Sequence, residues 1–174
     1  RVSDTYCRWP WGAHAAGSVR DPHFTSGAVM PLSRRDMLKS AITKLAASNL
    51  DLMVGLEVEF HVFERTDQML EHANATMPSQ PAQTRNLTPG YQFLTEDRYA
   101  QAEPILDPLR RYGQAMNMPV RSMEIEMGPR QVEFTFDPAD PLTHADNMKM
   151  FRAMVNEVCA ARGMHATLKC PPNL

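Results

Sequence analysis

Residues 52–62 carry the pattern that most constrains how this chain can fold. Apolar side chains occupy every second position of the segment: Leu52, Val54, Leu56, Val58, Phe60 and Val62. Strict alternation is typical of a β-strand that buries one face, because successive side chains of a strand point to opposite sides. The opposite face then carries Glu57, Glu59 and His61 in a row. The sequence predicts a strand with a carboxylate-bearing outer face.

A second acidic segment follows about sixty residues later. It holds three further glutamates, Glu124, Glu126 and Glu133, and is interrupted by Gly128-Pro129. We expect the interruption to be a hairpin turn or a bulge in a second strand region. Pairing with the first strand brings the two sets of glutamates into one region.

Clustered carboxylates are unfavourable unless something offsets their charge. Two like charges about 4 Å apart cost roughly 4 kcal/mol at an effective dielectric constant near 20. One interpretation is a solvated outer face of an antiparallel sheet. The other is a site for a hard cation, and an all-oxygen cluster favours Mg²⁺ or Mn²⁺. We favour the cation site. A hydrolase with paired carboxylates fits poorly, because strand residues two apart lie about 7 Å apart on one face and do not flank a bond.

The remaining pattern predicts an alternation of helices and strands. Ser33-Arg34-Arg35-Asp36 resembles a capping box and predicts the start of a helix with an apolar stripe that fades near Ser48-Asn49. Since proline is tolerated only near a helix start, we expect a second helix over about Ile105–Met116. Two more elements are predicted: a helix capped by residues 143–146 that ends between Arg162 and Gly163, and a strand over 164–169.

Two segments lack the regular spacing of apolar residues that predicts a helix or a strand. Residues 1–32 are predicted to be loop with one short strand, and Trp9-Pro10-Trp11-Gly12 is interpreted as an aromatic plug over the core or as a binding-loop wedge. Residues 65–94 form a long polar excursion, and a loop of this length is typically either a functional flap or a poorly ordered segment.

The size, charge and cysteine content of the chain argue against several classes of protein. The 174 residues suffice for one domain, and a net charge of −2 argues against nucleic acid or anionic membrane as a partner. No apolar run reaches the ~20 residues that span a bilayer. Three widely spaced cysteines, Cys7, Cys159 and Cys170, match neither a disulfide framework nor a zinc site, so we expect a reducing, cytoplasmic compartment. The chain begins with Arg and its last residues complete no element, so we expect an interior piece of a longer polypeptide.

Several motifs together resemble the glutamine synthetases and their γ-glutamyl-amine ligase relatives. Residues 55–60 look like the family's G-x-E-x-E-F strand, and residues 126–133 look like its E-x-G-P-x-Q-x-E segment. Ala145-Asp146-Asn147, Phe151-Arg152 and Ala166-Thr167 resemble the helix and strand that follow. Thr5 and Pro10-Trp11 are similar to the link out of the family's small N-terminal domain.

The resemblance implies an α+β fold, the first half of a glutamine-synthetase-type catalytic domain with a largely antiparallel curved sheet and packed helices. It implies that residues 1–27 are the link from the small domain and that residues 28–174 are the N-terminal half of the catalytic domain. It also implies a homo-oligomeric ring and metal-assisted, ATP-dependent ligation of glutamate with ammonia or an amine through a γ-glutamyl phosphate.

The same resemblance assigns roles to single residues. Glu59, Glu126 and Glu133 would hold one Mg²⁺ or Mn²⁺ near the glutamate end, and Glu57 would help to hold a second ion that bridges the phosphates of ATP, the co-substrate. Tyr91 would lie near the nitrogen-donor pocket as a catalytic residue, and Gln131 would orient a metal ligand. Where classical bacterial members have histidines, this chain has Glu124-Ile125. The alternatives are a non-catalytic binding or regulatory protein of the same fold and a fragment that is inactive on its own.

Overall fold

A long strand with partners along both of its edges forms the centre of the fold. The structure, a computed structural model, describes residues 5–67, 72, 75–78, 80–86 and 88–169. The described strands are β1 (Cys7–Arg8), β2 (Ala16–Gly17), β3 (Val54–Arg65), β4 (Thr84–Arg85), β5 (Val120–Ile125), β6 (Gln131–Ala139) and β7 (Met164–Thr167). The described helices are α1 (Arg34–Ala47), α2 (Glu96–Ala115) and α3 (Pro141–Ala160).

Five strands make one antiparallel sheet around β3. Their order is β4-β3-β6-β5, and β7 also pairs with β3. Strands β5 and β6 are the two arms of a hairpin, so the predicted interruption at Gly128-Pro129 is a turn. Strand β6 runs antiparallel to β3 with Glu59 opposite Glu133. The predicted strands at 52–62, near Val120 and at 164–169 are therefore present, with bounds shifted by a few residues.

The core lies between this sheet and the helices α2 and α3. Alternate residues of β3 and β6 enter it: Val58, Phe60, Val62, Val132, Phe134 and Phe136. Phe151 of α3 packs against two of them, with ring centroids 5.0 Å from Phe134 and 5.3 Å from Phe136. Because one sheet face is covered in this way, the alternation of the sequence leaves the glutamates on the uncovered face.

Helix α1 begins as predicted. Ser33 is its N-cap, and the Ser33 side chain accepts a hydrogen bond from the backbone N–H of Asp36. None of the side chains of α1 is buried, and Met37 of its apolar stripe is 63% exposed.

Helix α2 begins nine residues earlier than predicted. It starts at Glu96 and contains both Pro104 and Pro108 in its interior. Each interior proline costs about 3 kcal/mol. Burial of Ile105, Leu106 and Leu109 offsets much of this, because each buried aliphatic side chain contributes roughly 1.5–3 kcal/mol. Packing overrides the local rule that placed the helix start beside the two prolines.

Helix α3 also begins earlier than predicted. Its N-cap is Asp140, whose carboxylate accepts hydrogen bonds from the backbone N–H groups of Leu142 and Thr143, both at 3.0 Å. Pro141 occupies the first turn, where its missing N–H has no intrahelical partner to lose. The prediction of a cap within residues 143–146 was therefore wrong by about one turn. The end near Gly163, which has a φ of 69°, was right.

The N-terminal segment forms a small hairpin of two strands instead of the single strand predicted. The rings of Trp9 and Trp11 stack with centroids 5.2 Å apart, and Trp11 packs against the core. The indole N–H of Trp11 donates to Glu157 of α3 at 2.8 Å. This geometry matches the aromatic plug and not the binding wedge.

One arginine ties this segment and α1 to α3. The Arg35 guanidinium donates to Asp21 at 2.7 Å and to both carboxylate oxygens of Asp146 at 3.0 and 2.9 Å. Lys39 also pairs with Asp21. These charge-assisted contacts raise the pKa of Arg35, through Asp146 first and Asp21 second.

The predicted fold class is confirmed as a mixed α+β arrangement of helices packed on an antiparallel sheet. None of the helices in the described part of the chain combines the length and apolarity needed to cross a membrane. Within the long excursion at 65–94, residues 68–71, 73–74, 79 and 87 lie outside the described residues, as do Cys170 and Pro171.

Candidate functional site

The uncovered face of the sheet presents its polar side chains in rows that cross the strands. The backbone register places Glu57 of β3 opposite Thr135 of β6, and Thr135 opposite Ser122 of β5. The next row joins Glu59, Glu133 and Glu124 in the same way. A third row pairs His61 with Gln131. The two predicted glutamate sets therefore share one face.

Three carboxylates come closest together on this face. Oxygen atoms of Glu124, Glu126 and Glu133 all lie within 4.8 Å of one another. Glu126 follows the end of β5, but its backbone N–H still donates to the carbonyl oxygen of Gln131 at 2.9 Å, which keeps it in line with the strand. We call these three side chains the carboxylate cluster. Glu57 and Glu59 stand on the same face, and both are exposed to solvent.

Glu133 is the central and most buried member of the carboxylate cluster. Only 8% of it is exposed. Burial first, and then the hydrogen bond and charge of Glu126 with the charges of Glu57 and Glu124, raise the pKa of Glu133 to about 7. The group therefore carries a proton over much of the neutral range unless a cation offsets the surrounding negative charge.

Gln131 connects the turn of the hairpin to the glutamate of β3. Its side-chain carbonyl accepts a hydrogen bond from the backbone N–H of Gly128 at 2.9 Å. Its amide N–H donates to the Glu59 carboxylate at 2.5 Å. Gly128 is required by this contact, because a Cβ there would lie 2.5 Å from the Gln131 carbonyl oxygen. The hydrogen bond to Glu59 is the contact through which Gln131 would orient this carboxylate, and the orienting role stays a prediction.

The loop that bears Tyr91 is fastened to the same turn. The backbone N–H of Tyr91 donates to the carbonyl oxygen of Met127 at 2.7 Å, and Gly90 packs against Met127 and Pro129. The Tyr91 side chain is 89% exposed and has a φ of 60°. Tyr91 thus lies at the rim of the site with its ring in solvent, and its catalytic role stays a prediction.

The structure brings the predicted glutamates to one face of the sheet but groups them differently from the prediction. The predicted metal ligands were Glu57, Glu59, Glu126 and Glu133, whereas the carboxylate cluster takes Glu124 in addition to Glu126 and Glu133. The signal for Glu124 was present, since it lies two residues before Glu126 on the same strand face. The Ser122 hydroxyl donates to Glu124 at 2.8 Å and orients it.

Comparison with known proteins identifies the family. A family model described as glutamine synthetase, catalytic domain, matches residues 31–173. The chain belongs to this family.

Named relatives of this glutamine synthetase-family chain agree with the assignment. The γ-glutamylanilide synthase of Acinetobacter sp. is 30% identical over 94% of this chain and 33% of its own length. The γ-glutamylethanolamide synthetase of Streptomyces coelicolor is 28% identical over 97% of this chain and 35% of its own length. The chain spans about one third of the length of these curated relatives. A further relative is the glutamate–isopropylamine ligase of Pseudomonas sp., 24% identical over 94% of this chain and 34% of its own length, so the family is one of ligases.

Solved structures show the same fold. GmaS in complex with ADP has a TM-score of 0.75 at 22% identity and matches 94% of this chain and 35% of its own. The glutamine synthetase of Plasmodium falciparum has a TM-score of 0.66 at 17% identity, over 83% of this chain and 32% of its own.

Proposed function

We propose that the intact protein is an ATP-dependent ligase that joins ammonia or an amine to the side-chain carboxylate of glutamate through a γ-glutamyl phosphate. The observation that carries the proposal is the convergence of glutamates from β3, β5 and β6 on one sheet face in a chain of this family. Residues 1–27 would then be the link from a small N-terminal domain, and residues 28–174 would be the first half of the catalytic domain. A cytoplasmic ring of identical subunits completes the proposal.

The donor set of the site fits Mg²⁺ or Mn²⁺. All of the candidate ligands are carboxylate oxygens, which both ions prefer. Ligand oxygens around an octahedral Mg²⁺ lie roughly 3–4 Å apart, so the 4.8 Å spacing of the carboxylate cluster needs only a small contraction. The raised pKa of Glu133 has the same implication, because three neighbouring carboxylates, those of Glu126, Glu57 and Glu124, act on it, and it has no ion pair among the described residues.

Each side chain then has a distinct role. Divalent ions, when bound, offset the negative charge of the phosphates and of glutamate, which phosphoryl transfer between two anions requires. Glu126 and Glu133, with Glu59 and Glu124 beside them, hold the ion at the glutamate end, and Glu133 gives up its proton on binding. Glu57, one row away, helps to hold the ion at the ATP end. Gln131 fixes the direction of the Glu59 carboxylate, and Tyr91 lies at the entry of the nitrogen donor.

Calorimetric titration of the intact protein with Mn²⁺ tests the proposal. We expect Glu126→Gln and Glu133→Gln to weaken binding by at least about tenfold, because each removes one anionic ligand. Glu103→Gln on the exposed side of α2 makes the same change of charge and should leave binding unaltered.

An assay of glutamate-dependent phosphate release from ATP, over a panel of amines, tests the reaction itself. Equal Mn²⁺ binding by the wild type and by Glu133→Gln would contradict the metal site. Mn²⁺ binding without turnover for any amine would favour a non-catalytic binding or regulatory protein.

A further inference from the structure

Two hydroxyl groups on the uncovered sheet face have no role in the reaction proposed above. Ser122 of β5 lies opposite Thr135 of β6, and their hydroxyl oxygens are 2.5 Å apart in a hydrogen bond. Both side chains are half-buried. The Ser122 hydroxyl also donates to Oε1 of Glu124 at 2.8 Å. We call Ser122 and Thr135 the hydroxyl pair.

The hydrogen bonds of the hydroxyl pair run in one direction, toward Glu124. A hydroxyl group has a single O–H to donate, whereas an ionised carboxylate can only accept. Since Ser122 donates its proton to Glu124, the bond between the two hydroxyls must come from Thr135. Each bond in such a chain polarises the next and strengthens it. The Glu124 carboxylate is therefore held from both strands of the hairpin.

The position in which Glu124 is held is electrostatically unfavourable in the absence of a cation. Glu124 lies opposite Glu133 in the register, and oxygen atoms of Glu124, Glu126 and Glu133 lie within 4.8 Å of one another. Among the described residues, no basic side chain forms an ion pair with any of the three. Repulsion alone would turn Glu124, which is only half-buried, toward solvent. The hydroxyl pair opposes that movement.

The central side chain of the carboxylate cluster also lacks a cationic partner. Glu133 is 8% exposed, and the side chain that shares a hydrogen bond with it is that of Glu126, another carboxylic acid. A buried charge is tolerated only when a counter-charge or a metal ion offsets it. The three acidic side chains of the hairpin therefore leave room for one shared cation.

From this arrangement we propose that Glu124 is a further direct ligand of the ion at the glutamate end, and that Ser122 and Thr135 position it. The inference rests on the proposed function, because it requires an ion at the carboxylate cluster. The ligands predicted from the sequence did not include Glu124. With it, the β5–β6 hairpin alone supplies three carboxylates. Mg²⁺ and Mn²⁺ take about six oxygen ligands, so Glu59 of β3 and water complete the set.

Calorimetric titration of the intact protein with Mn²⁺, in the absence of ATP, tests the role of Glu124. The binding step to follow is the one that Glu133→Gln weakens. We expect Glu124→Gln to weaken the same step by about tenfold or more. The loss should persist in about 1 M salt, where charges farther than roughly 3 Å from the ion are largely screened. A loss that disappears in salt would show a distant charge and not a ligand, and would overturn the proposal.

Substitutions at Ser122 test the positioning. We expect Ser122→Ala to weaken Mn²⁺ binding by about tenfold, because it releases the Glu124 carboxylate, and Ser122→Thr to restore binding close to that of the wild type. In a Glu124→Gln background, Ser122→Ala should cause no further loss, since the two residues act through one another. Ser40→Ala, on the exposed side of α1, removes a hydroxyl elsewhere and should leave binding unchanged.

The outcomes separate this inference from the proposed function. Weaker binding in Glu126→Gln and Glu133→Gln with unchanged binding in Glu124→Gln would overturn the inference and leave the proposed metal site in place. Unchanged binding in Glu126→Gln and Glu133→Gln would mean that the proposed metal site itself fails. An equal loss from Ser122→Ala with and without Glu124 would show that Ser122 acts on the fold and not on the ligand. Melting temperatures in chelator check that each variant is folded.

Discussion

At the scale of single residues, the site depends on how one glutamate is surrounded. Glu133 is nearly buried, and its neighbours on the uncovered sheet face are other carboxylates. A group in such a place must either keep its proton or be joined by a cation. The choice between these two states links the stability of the protein to pH and to divalent ions.

We therefore expect the metal-free protein to become less stable as the pH rises from about 4.5 to about 7. The pKa of Glu133 in the folded state is raised to about 7 from an ordinary value of 4.5. The stabilisation that the protonated Glu133 side chain gives is fully present below pH 4.5, where Glu133 is protonated in both the folded and the unfolded protein. It is lost as the pH rises through the folded-state pKa near 7. Melting temperatures measured with chelator across this range would show the decline.

Glu133→Gln serves as the matched control for that experiment, because glutamine keeps the hydrogen-bonding shape without a titrating proton. Its melting temperature should vary less over the same pH range. Added Mn²⁺ should restore the wild type at pH 7 and leave Glu133→Gln nearly unchanged. A wild type whose stability rises steadily from pH 4.5 to pH 7 in chelator would contradict the assignment.

At the scale of elements, the cap of α3 decides where the last helix of the core begins. The carboxylate of Asp140 accepts a hydrogen bond from the side chain of Thr143 and two more from backbone N–H groups, and these bonds, the side-chain bond first, hold the pKa of the carboxyl below the usual range. We expect Asp140→Ala to lower the free energy of unfolding by about 1 kcal/mol, the usual effect of losing an N-cap. Urea denaturation measures this loss.

The comparison for that substitution is Thr143→Ala, at the start of the segment where the sequence pattern placed the cap. Thr143→Ala removes only the side-chain hydrogen bond to Asp140 and leaves the two backbone bonds of the cap, so it should cost less than Asp140→Ala. A larger loss for Thr143→Ala would mean that α3 begins one turn later than described here.

The elements that sequence alone predicted well are those whose pattern and packing agree. Strand β3 alternates strictly, and the Gly128-Pro129 turn is signalled by its own residues. Helix α2 was misplaced because Pro104 and Pro108 locally oppose the helix, whereas the buried leucines that keep it are visible only once the core is assembled. The same limit applies to the site: register, which sequence does not specify, sets Glu124 opposite Glu133.

At the scale of the whole molecule, Arg35 joins parts of the chain that are more than a hundred residues apart. Its guanidinium contacts Asp21 in the N-terminal segment and Asp146 in α3, and all three side chains are less than a third exposed. Since α1 buries no side chain, these contacts carry much of its attachment. The N-terminal segment and α1 should therefore behave as one unit.

We expect Arg35→Ala to lower the free energy of unfolding by about 2 kcal/mol, because it leaves the half-buried Asp146 without its partner and Asp21 with Lys39 alone. Hydrogen exchange of the backbone amides in α1 should accelerate, while exchange in β3 and β6 should change little. Arg34→Ala, an exposed neighbour in the same helix, is the control. Equal acceleration in both variants would mean that α1 is held by other contacts.

The bridge made by Gln131 fixes the chemistry allowed at that position. One of its partners is a backbone donor and the other is a negatively charged acceptor, so the residue between them must offer a lone pair at one end and a proton at the other. A primary amide offers both, and asparagine is one methylene shorter than glutamine. An ionised glutamate at position 131 would repel the carboxylate of Glu59, and a leucine would leave the Gly128 N–H and the Glu59 carboxylate without this hydrogen-bond partner. The two neighbours of position 131 therefore favour glutamine there over a glutamate or a leucine of similar size.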